Sequence, residues 1–243
     1  MGSDLSVVNA ARVSFSKESQ WENYDDSYEL AENKFGYVLN EGFVGKLSDA
    51  DAKLIRYLAK HNHFTPFCHA FFTFRIKADF ATIAQLFKHQ VGLCANSVSR
   101  RYVDDEPTFF MPTSWRTRPA NVKQGSSETE TVSITLEQYA HAGGVPFTDP
   151  TVDNLMIQHY ARCLSMYNNL IDMGVAPEQA RWSLPIGANS EFIWSGSLQA
   201  FARVYNLRID PHAQKEVRDV AIKIGALIPN QFGYSWAALT NKG

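Results

Sequence analysis

The densest chemistry lies between Gln85 and Tyr102, in Gln85-Leu86-Phe87-Lys88-His89-Gln90-Val91-Gly92-Leu93-Cys94-Ala95-Asn96-Ser97-Val98-Ser99-Arg100-Arg101-Tyr102. The segment begins on a predicted helix and passes through Gly92 into a polar, basic loop. Ser99, Arg100 and Arg101 there offer a hydroxyl and two guanidinium forks, the groups that grip a phosphate through charge-assisted hydrogen bonds. Further arginines stand among apolar residues: Arg181 in Ala180-Arg181-Trp182-Ser183-Leu184-Pro185, and Arg203 and Arg208 in Phe201-Ala202-Arg203-Val204-Tyr205-Asn206-Leu207-Arg208. An unpaired charge in such surroundings is costly. The counter-charges are either internal carboxylates such as Asp210, Glu191 and Glu216, or a phosphorylated ligand. Composition does not choose between them.

Two other sets have weaker claims. His61, His63 and His69 could ligate a metal, but no H-x-x-x-H pair on a helix accompanies them, so ordinary surface or hydrogen-bonding histidines are expected and no metal. Cys94 could be a nucleophile, with His89 and Arg100 near in sequence; a reactive thiolate needs such a cation close in space, and an inert thiol is the expectation. No G-x-G-x-x-G or G-x-x-x-x-G-K-[ST] loop occurs.

Composition narrows the class. The 243 residues are 45% hydrophobic and 13% aromatic, which excludes a disordered chain. Net charge is −2 and the pI near 6.4, which disfavours a nucleic-acid binder. No apolar run approaches the roughly 18 residues of a membrane span. The start, Met1-Gly2-Ser3-Asp4-Leu5, lacks the basic flank and apolar core of a secretory signal. Cys68, Cys94 and Cys163 are odd in number and widely spaced, so no disulfide framework and a cytoplasmic location are expected.

The elements that must position these side chains follow from periodicity. Ser48 caps a predicted helix that runs through His61, with Ala52, Ile55, Leu58 and Ala59 on one face. Phe71 to Lys77 alternates as a strand, and Asp79 caps a helix over 80–90. A long helix runs from Asp149-Pro150 to Met173 and stops at Gly174, and a short one follows Pro177. Phe192-Ile193-Trp194 is strand-like. Helices over 196–206 and 211–228 close the pattern, the last capped by Asp210 and stopped by Pro229. Residues 16–47 and 116–150 read as insertions in one domain spanning 1–243. Irregular alternation of helices and strands favours α+β.

Five blocks in order then resemble one family, the flavin-dependent thymidylate synthases. His89, Asn96, Ser99, Arg101 and Tyr102 resemble fixed positions of the signature R-H-R-x-x-S-x-N-x-x-S-x-R-Y. Asn9 to Phe15 resembles the family's N-terminal block, and His63-Phe64-Thr65-Pro66-Phe67-Cys68-His69 resembles H-E-T-P-F-E-H. Arg181 with Leu184-Pro185 resembles A-R-x-x-L-P, and Leu207 to Glu216 resembles L-R-x-D-x-H-A-Q-x-E. Lys88 and Gln90 replace two signature arginines, Leu93 or Cys94 falls where a serine is expected, and one extra residue separates Lys88 from Asn96. The Lys-His-x-Val-Gly form is similar to a divergent branch. Cys68 stands where Glu is frequent, and Ser197, Gln199 and Arg203 stand where Asn, Arg and Asn commonly meet the flavin. Because the chain starts just before the N-terminal block, the family's first strand is expected to be missing or truncated.

The resemblance implies an α+β fold of the thymidylate synthase-complementing-protein type, a central, mostly antiparallel sheet flanked by long helices. It implies conversion of dUMP to dTMP, with methylene-tetrahydrofolate giving the carbon, FAD the hydride and NADPH the reducing power, and no cysteine nucleophile. Arg208 matches the catalytic position. Gln85, Lys88, Ser97, Ser99, Arg100, Arg101, Arg181 and Arg208 match dUMP-binding positions. Thr65, Lys88, His89, Gln90, Ser97, Ser197, Leu198, Gln199 and Arg203 match FAD-binding positions. A homotetramer with shared sites is implied. The competing readings are a flavin- or nucleotide-binding relative without synthase activity and, disfavoured by charge, a nucleic-acid module.

Overall fold

The computed structural model describes residues 2–22, 31–32, 38–39, 45–103, 105–119, 125–127, 130–145 and 149–240. Much of the first predicted insertion and part of the second lie outside the described residues. The chain divides into two compact units: Met1–Phe74, His89–Ala95 and Trp194–Gly243 form the first; Arg75–Lys88 and Asn96–Ile193 form the second.

The first unit opens with α1 (Asp4–Arg12); Ser3 and Ser6 form a reciprocal capping box at its start. β1 (Ala31–Glu32) and β2 (Val38–Leu39) pair antiparallel. α2 (Asp49–Lys60) begins at the expected Ser48 cap and buries Ala52, Ile55 and Leu58. β3 (Phe71–Asp79) extends the predicted strand and passes into the second unit.

In the second unit Asp79 caps α3 (Phe80–Leu86), which ends four residues before the predicted Gln90. The residues after Gly92 form β4 (Leu93–Ser97) where a loop was predicted. α4 (Leu136–His141) lies within the second predicted insertion. α5 (Val152–Asp172) stops at Gly174, whose φ of 82° reverses the chain. α6 (Pro177–Ala180) leads through a tight turn into β5 (Asn189–Ser197).

Three strands form one sheet in the order β3-β5-β4. Backbone bonds at the strand ends give their direction. Leu198 N donates to Ala70 O, whereas Phe80 N donates to Ala188 O. Ser197 N donates to Gly92 O, whereas Val98 N donates to Glu191 O. Partner numbers run in opposite senses each time, so both pairings are antiparallel and the fold is α+β, as expected.

Back in the first unit, α7 (Leu198–Arg208) starts at a Ser197 cap, two residues later than predicted. α8 (Lys215–Ala226) starts four residues later than predicted, because Asp210 Oδ1 accepts the His212 amide in a turn of its own. α9 (Gly233–Thr240) was not predicted. α2, α7 and α9 pack together, and the core of this unit joins Val7, Val8, Ile55, Leu58, Phe67, Leu198, Ala202, Phe232 and Leu239.

Asp4 ties α1 to α9. Its carboxylate accepts the amides of Tyr234 and Ser235, both at 2.8 Å, and so caps a helix 230 residues away. Burial nonetheless pushes its pKa from 3.8 up to about 6, against the lowering effect of those donors. The folded protein therefore takes up a proton here between about pH 4 and 6, so this contribution favours folding at the acid end and fades as pH rises through the window. In Asp4→Asn, urea unfolding followed from pH 4 to pH 7 is expected to lose that component of the slope; wild-type and variant curves running parallel would contradict the assignment.

Candidate functional site

The first unit gathers Thr65, His89, Gln90, Ser197, Leu198, Gln199, Arg203 and Arg208, and the second holds Gln85, Lys88, Ser97, Ser99, Arg100, Arg101 and Arg181. Most flavin-matching positions thus fall in the first and most substrate-matching positions in the second.

In the first unit, α7 and the segment 89–93 meet without a spacer. Gly92 has φ +76°, and a Cβ there would stand 3.1 Å from Ala200 Cβ. A Cβ on Gly196 would stand 2.4 Å from Leu93 Cδ2 and 2.6 Å from the Gly92 carbonyl oxygen. Ser197 Oγ accepts the Ala200 amide at 3.2 Å and starts α7 at this contact. Two arginines of α7 then reach back to the segment. Arg203 donates to the Val91 carbonyl at 3.0 Å, and Arg208 Nε donates to His89 Nε2 at 2.8 Å.

The last bond fixes a protonation state. A guanidinium can only donate, so Nε2 of His89 carries a lone pair and the neutral ring keeps its proton on Nδ1. Burial, followed by the charges of Arg208 and Arg203, holds the His89 pKa below its ordinary value.

A groove of about 1460 Å³ in the same unit is lined by Gln199 and Arg203 from α7, Arg56 and Lys60 from α2, and Tyr234 and Ala238 from α9. Gln199 Oε1 is buried without a hydrogen-bond partner among the described residues. Arg56 and Lys60 escaped the sequence reading; their positions late in an amphipathic helix look like an ordinary solvated face. Leu198 is fully buried in the core, so its side chain serves packing. Thr65 opens the tight turn Thr65–Cys68 and is exposed.

In the second unit, Gln85 lies on α3 and the exposed Lys88 just beyond it. Ser97 is exposed at the end of β4. Ser99 Oγ accepts the Arg101 amide at 3.4 Å. Arg100 lies 3.5 Å from Asp105, and Arg101 lies 3.5 Å from Glu178 with both side chains half exposed. Arg181 is exposed and donates to the Glu178 carbonyl at 3.1 Å, which corrects the buried setting inferred from its apolar neighbours. Of the carboxylates weighed as internal counter-charges, Glu191 pairs with Arg75 at 2.7 Å. Arg12 of the N-terminal block is committed elsewhere, to Asp51, which also accepts Ser19 and Ser48 hydroxyls.

Cys68, Cys94 and Cys163 are free. Among the described residues no group of three or more metal-ligating side chains is close enough to hold an ion, and no helix is long and apolar enough to cross a membrane.

In the first unit, the guanidiniums of Arg56 and Arg203 and the unsatisfied Gln199 Oε1 line a partly apolar groove suited to anionic, ring-bearing ligands. The fold is similar to that of the UMP/dUMP methylase PolB from Streptomyces cacaoi, solved with 5-Br dUMP, at TM-score 0.69 and 24% identity over 98% of this chain and 91% of that one. A flavin-dependent thymidylate synthase of Thermosipho africanus (strain TCF52B) is 28% identical over 238 residues, 98% of this chain and 86% of that protein. The enzyme of the same name from Thermosipho melanesiensis (strain DSM 12029 / CIP 104789 / BI429) is 30% identical over 227 residues, 93% and 81% respectively. The chain belongs to the thymidylate synthase complementing protein family, whose profile matches residues 1–232.

The contact between the end of β5 and the 89–93 segment leaves no room for a methyl group at Gly196. Gly196→Ala is expected to cost about 1–3 kcal/mol through overpacking, read as a lowered midpoint in chemical denaturation. An unchanged midpoint would mean that the two elements separate freely.

Proposed function

We propose that the protein methylates C5 of dUMP to give dTMP, using a guanidinium where other chemistry would use a thiol. The observation that carries the reading is Arg208: a half-buried guanidinium, oriented by a neutral imidazole, in a chain of this family. C5 of uracil is a poor nucleophile. It gains electron density when negative charge on N3 and the flanking carbonyl oxygens is stabilised, and a fixed guanidinium binds that developing charge more tightly than the neutral ring.

Ser99, Arg100 and Arg101 would hold the phosphate, with Arg181 beside them and Gln85, Lys88 and Ser97 completing the substrate set. The exposed Arg101–Glu178 pair supports this role, since such pairs contribute about 0–1 kcal/mol. A phosphate can displace that carboxylate, because its oxygens accept two parallel N–H bonds.

The groove residues fit FAD. Gln199 offers an unsatisfied amide oxygen to a ring N–H, and Arg56, Lys60 and Arg203 offer cations to a pyrophosphate. Thr65, Lys88, His89, Gln90, Ser97 and Ser197 would complete the binding set. FAD, when bound and reduced by NADPH, supplies the hydride, while methylene-tetrahydrofolate supplies the carbon. The protein's part is to place the pyrimidine, stabilise its charge and exclude water. Tyr102 and Trp182, near the phosphate-matching residues and each 77% exposed, support burial by further copies in a homotetramer.

The colour of the purified protein tests the cofactor: a yellow preparation bleached by NADPH is expected, and a colourless one that takes up no flavin would remove it. Tritium release from C5-labelled dUMP tests the reaction. Arg208→Ala is expected to lower release by at least about 100-fold while keeping fold and flavin content; full activity would remove Arg208 from the mechanism. Cys94→Ala should stay within about twofold of wild type, and complete loss with an intact fold would restore a thiol nucleophile. Tight dUMP binding without any release would favour a nucleotide-binding relative that lacks the activity.

A further inference from the structure

We propose that His89 is the positioning residue for Arg208: its neutral imidazole holds the guanidinium at the angle the pyrimidine requires. The inference rests on the methylation reading and assigns His89 a task separate from any contact with flavin. Contact with a flavin alone gives no reason for Nε2 to accept from Arg208.

The anchor is itself anchored. Arg203 holds the Val91 carbonyl, Ser197 N donates to Gly92 O, and Gly92 and Gly196 meet their neighbours without a Cβ. The backbone beside His89 therefore cannot drift away from α7, and the 2.8 Å bond turns that rigidity into a fixed direction for Arg208. The charged groups facing the imidazole are Arg203 and Arg208 from α7, while Lys88, its neighbour in the chain, is exposed. A proton on Nε2 would remove the acceptor and set a third cation against the two arginines, so acid would break this bond.

The test uses the full chain saturated with FAD, with dUMP-dependent tritium release followed across pH. His89→Ala is expected to lower kcat by about tenfold to a hundredfold. His89→Gln, whose amide oxygen can accept the same N–H, is expected to recover kcat to within about threefold. It should also lose the acid limb that the wild type shows below the ordinary histidine value of 6.5. Wild-type kcat in both variants, equal impairment of both, or an unchanged acid limb in His89→Gln would overturn the proposal. If His89→Ala does not fold, the pH profile of His89→Gln decides. Nitrogen-15 histidine NMR gives a reading independent of turnover: the resonance lost in His89→Gln should show a protonated Nδ1 and a bare Nε2, and a protonated Nε2 overturns the assignment. A wild type that releases no tritium counts against methylation of dUMP, while the tautomer still decides what His89 does.

Discussion

One close approach governs the first unit: the end of β5 and the start of α7 lie against residues 89–93, with Gly196 where a side chain would collide and Gly92 where one would press on Ala200. Leu93 fills the space that Gly196 leaves, and Ala200 stands where a longer residue at position 92 would go. Because the helix begins at this contact, capped by Ser197, the direction of α7 is fixed at the point where the 89–93 segment crosses it. Arg203 and Arg208 then meet atoms whose positions are already determined. A charged side chain several bonds long is normally a poor instrument for directing charge, since it carries about 2 kcal/mol of rotamer freedom. Here much of that freedom is removed when the chain folds, before any ligand arrives.

Partners separate the arginines into those that hold the fold and those that remain exchangeable. Arg12 bonds Asp51, a carboxylate 4% exposed that also accepts two serine hydroxyls. Removing Arg12 would strand a buried carboxylate, so this pair is structural. Arg101 faces Glu178 across 3.5 Å with half of each side chain in solvent. Such a pair yields readily to a better anion. Arg208 differs from both in one respect: its Nε–H is accepted by an imidazole, which orients it without carrying a charge of its own.

The parts of the fold legible in the sequence are those where one local signal and one apolar face agree. Ser48 with Ala52, Ile55 and Leu58 marks α2, and the alternation through Phe72, Phe74 and Ile76 marks β3, because cap and period point the same way. β4 gave no such signal: Cys94, Ala95, Asn96 and Ser97 are all exposed, so the strand has no buried face and is held by its ladder with β5. α9 was hidden for the opposite reason. Gly233-Tyr234-Ser235-Trp236-Ala237-Ala238-Leu239 is short, and its cap, Asp4, lies at the other end of the chain. Arg181 was misread because its apolar neighbours suggested burial, whereas a tight turn carries its side chain to the surface. For the candidate site, the basic character of residues 99–101 was legible and the His89–Arg208 bond was not, since it joins residues 119 apart.

The residues on either side of His89 follow the same geometry. Lys88 and Gln90 are both exposed, and His89 between them is half buried against α7. The turn that brings in Gly92 points the two outer side chains toward solvent and the middle one toward Arg208. A change at 88 or 90 alters the charge presented outward: lysine keeps a cation without the planar fork, and glutamine gives up a full charge for an amide. Neither change touches the acceptor that directs Arg208. Variation at the outer positions can therefore change the charge presented outward while Arg208 keeps its place, because the contacts on the 89–93 segment run inward through His89, Gly92 and Gly196.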